Sequence, residues 1–198
     1  MSKISLSGDA SGSGTFTIAS PNSNSNFTLT LPANTGTVLT TGSTFAGTGP
    51  AFSASLASAQ SLTTGVFAKV AATVEGWDTN SCYNNTGSTV GGIPAYAFLP
   101  NVAGYYTMKF SLKAQATTSL QRLIVTVYKN GTTVGRQVDL PATMGNGGTW
   151  LSGCVDVYLN GTTDYVELYV YTEGTGTITC GSNDANTTYF QGVLARAA

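Results

Sequence analysis

The chain has 198 residues and a net charge of −1, and only 9% of its residues are charged, against roughly 25% in ordinary soluble domains. The eight basic residues are scattered singly from Lys3 to Arg196, so no face is rich enough in Lys and Arg to displace phosphate counterions, and nucleic acid is not an expected partner. There is no histidine, which removes the usual base of Ser-His-Asp and Cys-His systems and the commonest metal ligand, and no cofactor motif is present.

No run of about 18 apolar residues occurs, so no membrane insertion is expected. The N-terminus lacks the basic and apolar regions of a secretion signal, which points to synthesis in a cytoplasm. The length suits one core-forming domain plus an extension. Cys82, Cys154 and Cys180 are odd in number and widely spaced, which argues against a disulfide scaffold. All three are expected to be small buried or half-buried residues, with a Cys154–Cys180 bridge left open.

Residues 1–49 are dominated by Ser, Thr, Asn and Gly. Strand patterning there is confined to Thr15–Ile18, to Phe27–Leu31 and, more weakly, to Thr37–Thr40. Alternation puts Phe27, Leu29 and Leu31 on one face, too little to form a core alone. This arm is therefore expected to order only against copies of itself or a partner, with Phe16, Ile18, Phe27, Leu29 and Leu31 as its anchoring residues. The stretch Thr41–Pro50 reads as a linker.

From Ala51 the strand signals become dense. Ala51–Ser61 reads as strand or loop. Strands are then expected at Val66–Val74, Gly104–Leu112, Arg122–Tyr128, Thr132–Leu140, Trp150–Leu159, Asp164–Tyr171, Thr177–Cys180 and Thr188–Leu194. Tyr106, Met108, Phe110 and Leu112 alternate with Tyr105, Thr107, Lys109 and Ser111, as a half-buried antiparallel strand requires. Leu123, Val125 and Val127 repeat the pattern, as do Val155, Val157 and Leu159, and Val166, Leu168 and Val170. Asn130-Gly131 and Asn160-Gly161 both read as two-residue hairpin turns. The whole is an all-β sandwich or barrel, and periodicity alone leaves its topology open.

The stretch from Phe98 to Phe110, with Gly104 and Tyr106 between, resembles the signature of the complement globular-head family, a branch of the tumour necrosis factor-like jelly rolls; Met108 stands where that family has Phe. Pro50-Ala51-Phe52 resembles the family's opening strand, Asp164, Val166 and Leu168 its G-D-x-V-x-L segment, and Phe190, Gly192 and Leu194 its closing motif. No cluster matches the family's calcium site. The resemblance covers about residues 50–195. It implies an antiparallel jelly-roll sandwich of about ten strands that assembles as a homotrimer, preceded by a β-rich N-terminal arm.

Tyr105, Tyr106, Tyr165, Tyr169 and Tyr171 are the candidates for the trimer interface. Residues 4–40 resemble the N-terminal regions of phage tail-fibre and other virion structural proteins. Together these imply a non-enzymatic protein of two parts on a virion surface, assembled in the bacterial host cytoplasm. Its arm, 1–49, would anchor to a phage capsid or tail protein, and its jelly roll, 50–198, would trimerise and be displayed. A capsid decoration protein is the leading expectation, and a short tail fibre that binds a host surface glycan or protein is the alternative. The dispersed carboxylates offer no glycosidase pair. The long polar loop Asn80–Gly92 is the expected displayed element, with Tyr83, Asn84 and Asn85 as candidate contacts.

Overall fold

The computed structural model describes residues 11–15, 17, 19, 22–26, 28, 49–144, 147–181 and 187–198. The chain divides into two units, Met1–Leu39 and Thr40–Ala198. In the first, the described residues are exposed and carry no strand. Phe16, Ile18, Phe27, Leu29 and Leu31, and the weak strand expected at Thr37–Thr40, lie outside the described residues.

The second unit is all-β, with no helix among its described residues. Its strands are β1 (Ala51–Ser55), β2 (Gln60–Leu62), β3 (Phe67–Lys69), β4 (Val74–Asp78), β5 (Ala97–Phe98), β6 (Gly104–Ala116), β7 (Ser119–Lys129), β8 (Thr132–Met144), β9 (Gly147–Leu159), β10 (Val166–Thr175), β11 (Ile178–Cys180) and β12 (Tyr189–Ala197). Sheet A runs β2-β11-β6-β12-β1-β4, with β9 on the other side of β6; sheet B runs β3-β10-β7-β8, with β5 also on β10. Every pairing is antiparallel, and the two sheets close face to face as a jelly-roll sandwich.

The residues that carried the family resemblance are the core. Phe52 stacks on Phe98 at 4.5 Å and meets Phe190 edge-on at 5.1 Å, and Phe98 meets Tyr106 at 5.6 Å. All four are sealed from solvent, in the offset and edge-to-face geometries that aromatic quadrupoles favour. Met108, Phe110, Leu112, Leu123, Val125, Val127, Val155, Val157, Leu159, Val166, Leu168 and Val170 complete the interior, as their alternation required.

Local expectations fare unequally. The single strand expected at Val66–Val74 is two: Val70 still pairs with Leu168 of sheet B through its backbone, whereas Val74 begins the outermost strand of sheet A. Ala51–Ser61 contains the strand β1 and the start of β2, separated by Leu56–Ala59. Asn130-Gly131 is the expected tight hairpin, with φ of 52° and 75° and flanking strands in register at Lys129–Thr132.

Asn160-Gly161 is not a hairpin. It belongs to a loop that carries the chain from sheet A to sheet B, in which the Asn160 Oδ1 accepts bonds from the amides of Thr162, Thr163 and Asp164 at 2.9–3.0 Å. An Asx-type turn and a type I′ turn share the same dipeptide preference.

The strand directions give the sandwich two distinct ends. The chain enters at Pro50, whose carbonyl accepts from Leu194 N, and reaches Ala198 beside Ala103. The Asn130-Gly131 hairpin and the Asn160–Asp164 loop lie at this same end. The turns at Thr117–Thr118 and Gly176 lie at the other.

Candidate interaction surfaces

The outward face of sheet A follows row by row from the register. Tyr105 lies opposite Tyr158. The next row is Ala51, Val193, Thr107 and Asp156, and the next is Trp77, Ser53, Gln191, Lys109 and Cys154. Beyond these come Ser55, Tyr189, Ser111 and Ser152, and then Lys113 opposite Trp150. The central rows are mostly small or polar and include Lys109 and Asp156, while the Trp and Tyr side chains stand towards the rim. Trp77, Tyr105, Trp150, Tyr158 and Val193 are all exposed, Trp150 by 53%.

Polar groups on this face are largely paired within it. Thr107 Oγ1 donates to Asp156 at 2.7 Å, Gln191 Nε2 to Ser53 Oγ at 3.0 Å, and Lys113 lies over the Trp150 ring at 5.0 Å. Tyr105 and Tyr158 meet edge-on at 5.5 Å. A depression of about 190 Å³ opens beside Trp77, bounded by Lys109, Gln191 and Val193. Exposed Trp and Tyr side chains gathered on one sheet face are of the kind enriched at protein interfaces.

The outward face of sheet B is a different surface. Tyr169 and Tyr128 stack at 4.0 Å, and Phe67 lies 4.9 Å from Tyr171 and 6.1 Å from Tyr128. These rings roof Ile124 and Thr126, which are buried although they point outward. Ion pairs frame them. Glu167, itself buried, pairs with Lys69, and Arg122 forks onto Asp139 at 2.8 and 3.1 Å while reaching Glu173 at 3.5 Å. The hydrogen bonds from Arg122 hold the Asp139 carboxyl below its ordinary range.

The tyrosines expected to share an interface are therefore dispersed. Tyr105 is on sheet A's outward face, Tyr169 and Tyr171 are on sheet B's, and Tyr165 sits at the entry end, where its amide donates to Asn130 Oδ1 at 3.0 Å. Tyr106 is a correction: it is 0% exposed, and its hydroxyl donates to Val102 O at 2.7 Å. Burial pushes that hydroxyl's pKa up. A residue on the inner side of β6 cannot meet another subunit. Tyr158, Trp150 and Trp77, all exposed on sheet A's outward face, were not among the candidates. The alternation that buries Val155, Val157 and Leu159 places Trp150, Cys154 and Tyr158 on the opposite face, so the signal for two of them was present.

The loop from Thr79 to Tyr96 crosses from β4, at the edge of sheet A, to β5 on sheet B. Tyr83 is not displayed. It is 6% exposed, its ring packs on Phe52, and its hydroxyl donates to Ala72 O at 3.0 Å. Asn84 is also buried and acts as the loop's internal frame: its Nδ2 lies 2.7 and 2.8 Å from Ser88 O and Ile93 O, and its Oδ1 accepts from the Thr86 amide and hydroxyl. Of the three candidates, only Asn85 is not buried, and it is half-buried.

The cysteines are all free. Cys82 and Cys180 are buried, whereas Cys154 is exposed, contrary to expectation, on sheet A's outward face. Cys180 points to the interior, so the two cannot pair. Among the described residues, no group of three or more His, Cys, Asp or Glu is placed to hold a metal ion, and no helix is long and apolar enough to cross a membrane.

No protein-family model and no curated protein matches this sequence. Solved structures do. The globular domain of a zebrafish complement 1qA protein aligns with 75% of this chain and 99% of its own, at 14% identity and a TM-score of 0.51. The Eiger TNF of S. frugiperda aligns with 75% of this chain and 92% of its own, at 8% identity and a TM-score of 0.54. The PRD1 vertex protein P5 aligns with 74% of this chain and 72% of its own, at 11% identity and a TM-score of 0.47. The first two likenesses fix the architecture: the second unit of this chain has the jelly-roll fold of complement 1q globular and tumour necrosis factor-like domains.

Proposed function

We propose that this chain is a non-enzymatic, homotrimeric display module of a phage virion surface, whose copies meet along the outward face of sheet A. The observation that carries the reading is that face itself, with its exposed Trp77, Tyr105, Trp150, Tyr158 and Val193. A stoichiometry of three follows the resemblance of residues 50–195 to complement globular heads. The virion setting follows the resemblance of residues 4–40 to phage fibre segments.

Entry at Pro50 supports display. Pro50 lies at the end of the sandwich that holds Ala198, and the Thr117–Thr118 and Gly176 turns lie at the other. Residues 1–49 would then anchor to the particle by adding strands to a capsid or tail protein. Capsid decoration is the favoured setting, because the described domain is small and single. Copy number on purified particles separates this from a tail fibre: a value near that of the major capsid protein supports decoration, and a few copies per particle would reject it.

Light scattering on the full chain tests the assembly. The wild type is expected at three times the 20.3 kDa chain mass. Val193→Glu and Tyr158→Glu should each give folded monomers, because they place an unpaired charge in the contact. Phe67→Ser, on sheet B's outward face, should leave the trimer intact. A wild-type monomer, or trimers in both sheet A variants, would defeat the reading.

A further inference from the structure

The loop from Thr79 to Tyr96 is long for one without strands of its own, and such loops in compact domains are commonly functional. It is nonetheless tightly built. Tyr83 and Asn84 fix it from inside, and Ser81 and Tyr96 take positive φ of 52° and 54°, a conformation that costs a non-glycine residue energy and persists only when its surroundings impose it. The product of this framing is a cup of about 290 Å³, near the lower end of ligand pockets, which run from roughly 300 Å³.

The walls of the cup are chemically unlike. Ser81, Asn85 and Thr86 line it together with Val90 and Ile93. The Asn85 carboxamide and the Ser81 hydroxyl carry no hydrogen bond to the described residues, whereas the neighbouring Asn84 amide is wholly committed to holding the loop. Val90 is 53% exposed, in a loop whose other residues are mostly polar. The cup therefore brings a free amide donor and acceptor and an uncovered isopropyl group into the lining of a space the size of one sugar ring.

We propose that this cup binds an N-acetylated sugar residue of a cell-surface glycan. An acetamido group has the complementary parts: an N–H and a C=O for the Asn85 carboxamide, and a methyl for Val90 and Ile93. The ring hydroxyls are left to Ser81 and to Thr86, whose Oγ1 already donates within the loop and so is an acceptor here. Glucose has the hydroxyls but neither the amide nor the methyl. The inference rests on the display reading for its setting, since a sugar on another cell's surface is reached only by an exposed module.

The test is titration of the full-length protein with N-acetylglucosamine and N-acetylgalactosamine, read by saturation-transfer NMR and calorimetry, with glucose as the control. A single shallow cup predicts a dissociation constant on the order of 1 mM for at least one acetamido sugar, with glucose at least tenfold weaker. Asn85→Ala and Val90→Ser should each weaken binding about tenfold while leaving the unfolding midpoint unchanged. The inference is overturned by no binding at ~20 mM sugar, by equal binding of glucose, or by unaltered affinity in both variants. A trimer that binds no sugar overturns this inference alone. A monomer that binds it overturns the assembly reading alone.

Discussion

The ring of Tyr83 lies parallel to that of Phe52, with centroids 4.6 Å apart and planes within 6°. A loop residue and a β1 residue thus form one stack, and the loop is tied to the core through it. Tyr83→Ala should cost about 3–5 kcal/mol, the usual range for removing a buried aromatic ring. Tyr83→Phe loses only the bond to Ala72 O and should cost about 1 kcal/mol. Urea unfolding of the two variants checks this, and a cost below 0.5 kcal/mol for Tyr83→Ala, roughly that of a surface change, would contradict the packing described.

Asp164 joins two loops at the entry end. It accepts from Lys129 Nζ and Asn130 Nδ2, each at 2.8 Å, and from Asn160 N at 3.1 Å. Partial burial would raise its pKa, but these donors outweigh that and hold it below the ordinary carboxylate value. A depressed folded-state pKa gives stability that is present above the unfolded value of roughly 4 and is lost as pH falls through the folded one. Asp164→Asn should therefore destabilise by about 1–3 kcal/mol at pH 7, with the gap from wild type closing below pH 4. Chemical denaturation across pH 2–7 measures it, and a constant gap would exclude the assigned role.

Gly161 and Gly65 share a left-handed backbone, with φ of 74° and 77°. Their surroundings differ. A Cβ at Gly161 would lie 2.4 Å from Ala103 N and 2.6 Å from Val102 C, whereas one at Gly65 meets nothing within 4 Å. Gly65→Ala should cost about 1 kcal/mol from backbone strain alone. Gly161→Ala should cost about 2–4 kcal/mol, because rigid backbone must also move. Thermal unfolding of the pair separates conformational strain from collision.

The three thiols should react unequally. Burial raises the Cys82 thiol and pushes Cys180 up to about 12, so neither provides accessible thiolate, while Cys154 is open on sheet A's outward face. A disulfide reagent at pH 8 should modify one thiol per native chain and all three in denaturant. Under the assembly proposed above, the rate at Cys154 falls as protein concentration rises and copies cover the face. A concentration-independent rate would count against that contact.

What the sequence made legible was periodic and local. The alternations through β6, β7, β9 and β10 identified the central part of the interior, and Asn130-Gly131 identified its turn, because side-chain direction and backbone preference are decided by near neighbours. Tyr83 was misread because an aromatic in a polar loop looks displayed until its long-range partner, Phe52, is known. Tyr105, Tyr169 and Tyr171 each alternate correctly, yet periodicity says only that they point outward. Which of two sheets they point from depends on the crossovers at residues 160–165 and 70–74, and those have no local signature. The uneven fates of Asn84 and Asn85 were equally hidden, since adjacent asparagines differ only in which one turns inward.

The position of β1 carries a consequence for how the molecule is made. Ala51–Ser55 is the first strand of the sandwich in sequence, but its neighbours in sheet A are β4 and β12, and Phe52 pairs with Gly192 near the end of the chain. While the chain emerges from the ribosome, β1 must therefore wait with one edge unpaired until almost every other strand has been synthesised. Closure of sheet A belongs to the last step of folding, as expected where pairings are dominated by distant partners. A nascent chain halted before Tyr189 would hold the exposed edge of β1 ready for pairing with another copy, so complete translation is itself a safeguard against aggregation.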